Sequence, residues 1–218
     1  MKYAVIPVTP FEQNCTLMVC EATQKAVVID PGGDIERILA VAAKAGVSIE
    51  KVLLTHGHLD HASAAGELAA QLGVPIEGPH EDERFLIDAL PEQAAAYGFP
   101  VYRTFTPDRW LKQGDTVSFG NETLEVFHCP GHTPGHVVFF HRGRKLAVVG
   151  DVIFAGSVGR TDFDYKGKPY GNFDTLAESI RGNLWSLGDD AEFIPGHGPN
   201  STIGRERRSN PFVADHRG

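Results

Sequence analysis

Three histidines and a carboxylate fall within the run Thr55-His56-Gly57-His58-Leu59-Asp60-His61. Imidazole and carboxylate groups packed this densely are a metal-ligand pattern. His56 and His58, two apart at the end of a short apolar run, leave the backbone on the same face. Asp60 and His61 open the next helical pattern and can turn back toward the same point. Three further candidates sit where a short strand runs into a Gly-rich loop: His132 in Pro130-Gly131-His132, Asp151 after Gly150, and His197 in Pro195-Gly196-His197-Gly198. Seven donors exceed what one tetrahedral zinc takes. They suit two ions, one on three histidines and the other on an aspartate and two histidines. A bridging carboxylate would offset the repulsion between the cations. Two such ions can share a water that becomes a hydroxide nucleophile near neutral pH, and can polarise a substrate oxygen.

The other histidines divide by context. His80, His141 and His216 lie in polar stretches and read as exposed surface. His128 and His136 flank the His132 loop, where they can orient a ligand from behind. Cys129, beside that loop, reads as a small buried thiol.

The elements that must position these side chains are short. Tyr3 to Val8, Thr16 to Cys20 and Ala26 to Ile29 are Val- and Ile-rich strands of a meander. Asp30-Pro31-Gly32-Gly33 closes the third in a tight loop. Residues 34 to 45 form a helix capped by Asp34 and ended by Gly46, with Ile35, Ile38, Leu39 and Ala42 on its apolar face. Lys51 to Leu54 is a strand leading into the first motif. Asp60 to Leu72 is helical, Val74 to Glu77 a strand, and Glu81 to Tyr97 a surface helix pair or long loop broken by Pro91. Thr116 to Phe119 and Thr123 to His128 form a hairpin around Gly120-Asn121. Strands follow at Val137 to Phe140, Leu146 to Val149 and Glu192 to Ile194. A Gly-rich loop spans 156 to 171, a helix runs from Phe173 to Leu187, and a last helix starts at Ser201 or Thr202. Strands in runs, with helices between and after them, predict an α/β fold of two sheets packed face to face with helices outside. No linker-like stretch interrupts 1–218, so a single domain is expected.

Composition narrows the chemistry. A net charge of −8 over 218 residues argues against nucleic acid, whose binding rests on Lys and Arg neutralising phosphates. The 42% hydrophobic content supports a buried core. Cys15, Cys20 and Cys129, sparse and odd in number, are no disulfide framework and point to a reducing cytoplasm. Pro7 and Pro10 break the start before any signal-peptide core, and no stretch reaches a transmembrane length.

Together, Thr55–His61, Pro130-Gly131-His132-Thr133-Pro134-Gly135-His136, Gly150-Asp151 and Pro195-Gly196-His197-Gly198 resemble the metallo-β-lactamase superfamily. They appear in family order across almost the whole chain. The resemblance implies a four-layer αββα sandwich. It assigns His56, His58 and His132 to a first metal, Asp60, His61 and His197 to a second, and Asp151 to a bridge between them. Asp60 and Asp151 are then also the catalytic carboxylates, Asp60 orienting the nucleophile. Within the superfamily the chain is most similar to the hydroxyacylglutathione hydrolases, or type II glyoxalases, of the short single-domain bacterial kind. That implies hydrolysis of S-D-lactoylglutathione or a related thioester, a small-molecule partner, and two divalent ions, zinc foremost with iron or manganese as alternatives. No separate C-terminal helical substrate domain is expected, since about twenty residues follow His197. Gly159-Arg160-Thr161-Asp162 stands where that group carries Gly-Lys-Phe-Tyr. Arg160 would replace the lysine as a carboxylate clamp, and the tyrosine has no counterpart. Gly198-Pro199 likewise lacks the tyrosine that follows the last histidine in the family. Lys166 and Lys168, or Arg205, Arg207 and Arg208, would complete a basic rim. Two alternatives remain: an iron persulfide dioxygenase using His56, His132 and Asp151, and a non-catalytic metal-binding scaffold, which would be expected to have lost a ligand.

Overall fold

The computed structural model describes residues 1–215; His216 lies outside them. Five strands, β1 (Lys2–Val8), β2 (Gln13–Cys20), β3 (Lys25–Ile29), β4 (Ser48–Leu53) and β5 (Ile76–Glu77), form a first sheet in chain order. β1 to β3 are antiparallel, and β3, β4 and β5 run parallel. The parallel pairs require crossovers. These are α1 (Ile35–Ala45) between β3 and β4, then α2 (Leu59–Ala62) and α3 (Ala65–Leu72) between β4 and β5. The expected helix over 60 to 72 is thus two helices. Ala64 N–H turns to the Pro31 carbonyl at 3.1 Å, which docks the break against the loop after β3. Asp34 does not cap α1 with its side chain. Its carboxylate accepts from Thr9 N at 2.7 Å instead.

A short helical turn at Glu81–Glu83, α4 (Arg84–Asp88) and α5 (Leu90–Tyr97) lead to the second sheet. The expected helix pair is present, with Glu81, Asp82, Asp88 and Glu92 exposed, but its other face is buried through Glu83, Leu86, Ile87, Leu90 and Ala94. Pro91 sits in the first turn of α5, where its missing N–H costs no hydrogen bond. The second sheet comprises β6 (Thr116–Phe119), β7 (Glu122–His128), β8 (Val137–His141) and β9 (Leu146–Gly150). After two small hairpins, β10 (Ile153–Phe154) with β11 (Ser157–Val158) and β12 (Asp164–Tyr165) with β13 (Lys168–Pro169), it is completed by β14 (Glu192–Pro195) and β15 (Ser201–Thr202). The spatial order is β15-β14-β9-β8-β7-β6, with β14 and β9 parallel and the other pairs antiparallel. α6 (Phe173–Ser179) is capped by Asn172, whose Oδ1 accepts from Thr175 N at 2.9 Å. It continues as a π-turn over Ile180–Leu184 and a 3₁₀ turn over Trp185–Leu187, where one uniform helix was expected. α7 (Ile203–Ser209) is capped by Thr202.

Strand alternation builds the layers. Met18, Val27, Phe139 and Val148 face inward and join Ile29, Leu53, Phe119, Leu124 and Ile194 in the core between the sheets. Their neighbours Leu17, Val28, Phe140 and Val149 face outward. The first sheet's outer face meets Ile38, Ala42 and Leu68 of α1 and α3. The second's meets Leu176, Ile180, Trp185 and Ile203 on the α6 and α7 side. The result is the expected αββα sandwich. No described helix is long and apolar enough to cross a membrane.

Candidate metal centre

Every candidate donor lies just beyond the C-terminal end of a strand: the 56–61 run after β4, His132 after β7, Asp151 after β9 and His197 after β14. β7, β9 and β14 run in one direction, so their exit loops meet at one edge of the sandwich. Backbone bonds join these loops across the sheets. Val137 N donates to Thr55 O at 2.8 Å, Gly196 N to Gly150 O at 2.7 Å, and Asn14 N to Gly196 O at 2.7 Å. Two glycines make the approach possible. A Cβ on Gly196 would lie 2.0 Å from Asp151 Oδ1, and one on Gly32 would lie 1.5 Å from the Asp60 carbonyl oxygen.

The seven side chains gather in two groups. His56 Nε2 and His132 Nε2 lie 3.1 and 3.0 Å from His58 Nδ1, so three ring nitrogens point at one spot. Donor atoms of Asp60, His61 and His197 likewise lie within 4.8 Å of one another, with His197 Nε2 3.1 Å from Asp60 Oδ2. Asp151 stands between the groups. Its Oδ2 is 3.7 Å from His132 Nε2 and 3.8 Å from His197 Nε2, and its Oδ1 is 3.3 Å from His61 Nε2.

The opposite ring nitrogens decide which lone pairs face inward. His61 Nδ1 meets Asp30 Oδ2 at 2.9 Å. His56 Nδ1 meets Thr55 Oγ1 at 3.0 Å, and that hydroxyl donates to Asp30 Oδ2 at 2.6 Å, so it accepts from the histidine. His132 Nδ1 donates to Arg160 O at 2.7 Å and His197 Nδ1 to Phe11 O at 3.1 Å. His58 Nε2 meets the Tyr170 hydroxyl at 2.9 Å. With these outer nitrogens donating, all five rings offer an unprotonated nitrogen to the centre, the form a metal ligand needs. His136 supports the carboxylate side: its Nε2 accepts from Asp151 N at 3.1 Å, and its ring stacks on His56 with centroids 4.6 Å apart.

Electrostatics separate the two groups. Burial, then the neighbouring imidazoles, holds His56 well below the usual histidine range. Burial first and His132 second bring His58 down to about 3, and burial lowers His132 as well. His61 and His197 are raised, because the Asp151 and Asp60 carboxylates outweigh the burial that would lower them. Asp60 and Asp151 are lowered: burial would raise both, and the facing histidines, His61 foremost, overcome it. Two ionised carboxylates thus face one group of imidazoles that resists protonation, His56, His58 and His132, and a second, His61 and His197, that favours it. Among the described residues, His61 Nε2 and Asp151 Oδ1 are buried without a hydrogen-bond partner and lie 3.3 Å from each other. Such orphaned polar atoms are costly, and a cation between them satisfies both. The donors fit divalent metal.

Sequence reasoning missed three residues. Asp30, in the left-handed region at φ 55° and buried, takes Thr55 N at 2.7 Å as well as Thr55 Oγ1 and His61. The signal was present as a carboxylate at a strand end before Pro31-Gly32-Gly33. Glu83 is fully buried and accepts from Gly57 N and Gly135 N, both at 2.7 Å, pinning the first and second ligand loops together. Desolvation pushes its carboxyl up to about 7. Tyr170 reaches the centre from a loop in which no tyrosine was expected. Of the remaining histidines, His141 is buried, bonded to Glu122 Oε2 at 2.8 Å and accepting from Arg144 N at 3.0 Å, which corrects its reading as exposed. His128 donates to Pro134 O at 3.0 Å and stacks on His80, which is half-buried. Cys129 is buried, and its thiol is pushed up to about 12 by burial.

A cleft of about 810 Å³ opens over the donors, lined by Phe11, Leu59, Tyr97, Phe154, Phe163 and Tyr170 among others. Arg160 stands on its rim, its guanidinium forked onto Asp162 at 2.9 and 3.0 Å and laid over Phe163. Lys166 lies over Tyr165. Arg205, Arg207 and Arg208 are not part of the lining. Arg207 and Arg208 pair with Asp189, and Arg207 also with Asp215.

The sequence profile of the metallo-β-lactamase superfamily matches residues 8–197. The chain belongs to that superfamily. Its fold and donor set place it among the superfamily's metal-dependent hydrolases. It is 45% identical over 214 residues to the hydroxyacylglutathione hydrolase GloC of Haemophilus influenzae, covering 98% of each chain. Among solved superfamily structures it is similar to the BLEG-1 B3 metallo-β-lactamase (TM-score 0.87, 31% identity, 97% of this chain and 99% of that one). It is also similar to TTHA1623 in a di-iron-bound form (TM-score 0.83, 33% identity, 96% and 100%).

Proposed function

We propose that this chain is a hydroxyacylglutathione hydrolase, cleaving S-D-lactoylglutathione or a related acyl thioester to a hydroxy acid and a free thiol. The observation that carries the reading is the full-length 45% identity to a protein of that name, joined to two clustered donor triads with Asp151 beneath an open cleft. His56, His58 and His132 would hold one divalent ion, and Asp60, His61 and His197 a second. Asp151 would be shared between them. Zinc is the first expectation, with iron or manganese accepted by the same donors. Bound there, the ions would supply a nucleophile from water at neutral pH and a polarising charge for the thioester carbonyl.

The chain's own groups supply the rest. Asp60 stays ionised and its Oδ2 faces the centre, so it can accept the hydrogen bond that orients an attacking water. A thiolate leaves readily, and no strong general acid is required of the cleft. The apolar wall of Phe11, Leu59 and Phe154 keeps bulk water from the acyl group, while Arg160 at the rim is placed to meet a carboxylate of the thiol carrier. The whole chain would work as a single domain, in the cytoplasm where a thiol carrier stays reduced.

The scaffold reading requires a lost ligand, and the sequence carries a candidate at each of the seven positions. A persulfide dioxygenase would use only His56, His132 and Asp151, and the full-length identity favours the hydrolase. The test is to assay the metal-loaded protein for thiol release from S-D-lactoylglutathione, beside oxygen uptake with glutathione persulfide and ring opening of a chromogenic β-lactam. Thiol release without oxygen uptake is expected. Oxygen uptake or β-lactam turnover with no thiol release would overturn the proposal.

A further inference from the structure

Four of the five candidate ligand histidines are held from behind by the Asp30 carboxylate, the Thr55 hydroxyl or a backbone carbonyl. Asp30 holds His61 directly and His56 through Thr55. Backbone carbonyls of Arg160 and Phe11 hold His132 and His197. His58 differs in two respects. It alone faces its partners with Nδ1, its nitrogen 3.1 and 3.0 Å from those of His56 and His132. Its outer nitrogen, Nε2, has a side-chain partner from a strap, the Tyr170 hydroxyl at 2.9 Å.

That strap is ordered by contacts of its own. It carries the β12–β13 hairpin, and its ends are fixed by Tyr170 N donating to Phe163 O at 3.1 Å and Asn172 N to Gly131 O at 2.7 Å. The Tyr170 ring lies parallel to Phe163, 7° between planes and 6.0 Å between centroids, with Phe85 against its edge at 5.5 Å. Phe163 also packs on His58 and His132 at 4.9 and 5.5 Å. The phenol is therefore delivered to His58 by a packed aromatic stack.

We infer that Tyr170 is a positioning residue for the first metal site, its hydroxyl accepting His58 Nε2–H so that the Nδ1 lone pair points at the ion. When Nδ1 binds a cation, Nε2 must carry the hydrogen, and a buried N–H needs an acceptor. A fixed phenol oxygen supplies it, sets the ring's angle and raises the basicity of Nδ1, as outer partners of ligating histidines do. Through this bond the strap that walls the cleft is tied to the first ion and not to the second. The inference rests on the ligand assignment proposed above. Its readout is ion binding and not thioester hydrolysis, so its failure leaves the hydrolase reading standing.

The test uses the metal-free protein titrated with zinc against a chromophoric chelator, and with cobalt(II) for its visible absorption bands. Tyr170→Phe keeps the ring and its stacking and removes only the hydroxyl. It should weaken the first ion about tenfold to a hundredfold, change the cobalt bands of that site, and leave the second ion's dissociation constant within about twofold. Phe85→Leu loosens the stack and keeps the hydroxyl, so it should cost first-site affinity clearly less than Tyr170→Phe does. Equal affinities and spectra for Tyr170→Phe and the parent overturn the inference. So does an equal loss at both sites, or a loss from Phe85→Leu as large as that from Tyr170→Phe, since either marks general loosening of the strap.

Discussion

At the scale of single residues, the candidate centre depends on groups outside its donor set. Asp30 is the clearest. Its two oxygens take Thr55 N, Thr55 Oγ1 and His61 Nδ1, so one carboxylate sets the orientation of two candidate ligands, one in each triad. Asp30→Ala should lower affinity at both sites by about tenfold or more, read by chelator competition with zinc; loss confined to one site would refute the shared role. The candidate donors were legible as a cluster, because the spacing of His56, His58, Asp60 and His61 is a metal-ligand pattern, and the structure brings them together. Asp30 was not, because an aspartate before Pro-Gly-Gly is equally the composition of a turn, and only tertiary contact shows which atoms its oxygens meet. Tyr170 was illegible for the same reason: the spacing between residues 58 and 170 contains nothing that brings them together.

At the scale of elements, the longer strands followed from Val- and Ile-rich runs and the layers from the succession of strands and helices; the misreadings fell on helices and on the two-residue strands inside the 156–171 loop and at Ser201–Thr202. The 81–97 segment looked like surface because its apolar residues are interspersed with Glu, Asp and Gln. One face of the helix pair is in fact buried, with Glu83 inside and bonded to both ligand loops. That carboxyl sits at about 7 when folded, pushed up by desolvation, against an ordinary value near 4.3. Between those values the folded chain holds a proton that the unfolded chain releases. Its contribution to stability is therefore fully present at low pH and is lost as pH rises from about 4.5 to 7. Glu83→Gln removes this titration. The unfolding free energy of the parent relative to Glu83→Gln should fall by on the order of 2–3 kcal/mol between pH 5 and 7.5 in urea titrations of the metal-free protein. A difference independent of pH would contradict a buried, partly protonated Glu83. A break such as that between α2 and α3 is beyond sequence pattern, since Ala64 leaves the helix only because Pro31 O is there to receive its N–H.

At the scale of the whole molecule, two sheets with parallel neighbours bring their C-terminal ends to one edge, and that places seven donors from four distant segments under one cleft. The net charge of −8 repels an anionic thiol carrier, which makes the cationic rim matter. There the Arg160 fork is already taken by Asp162. An exposed pair of this kind is weak, so a substrate carboxylate can displace Asp162 at little expense. Asp162→Asn should lower KM for a glutathione thioester by about twofold to fivefold with kcat unchanged, and Arg160→Ala should raise it; an unmoved KM in both would remove Arg160 from recognition. The central claim, that the two triads and Asp151 form a two-ion thioester hydrolase, is tested most directly by one titration. Zinc is added stepwise to metal-free protein while thiol release from S-D-lactoylglutathione is followed against ions bound per chain. Activity should rise to a plateau at two ions per chain. A plateau at one ion, or no thiol release with both ions bound, would contradict it.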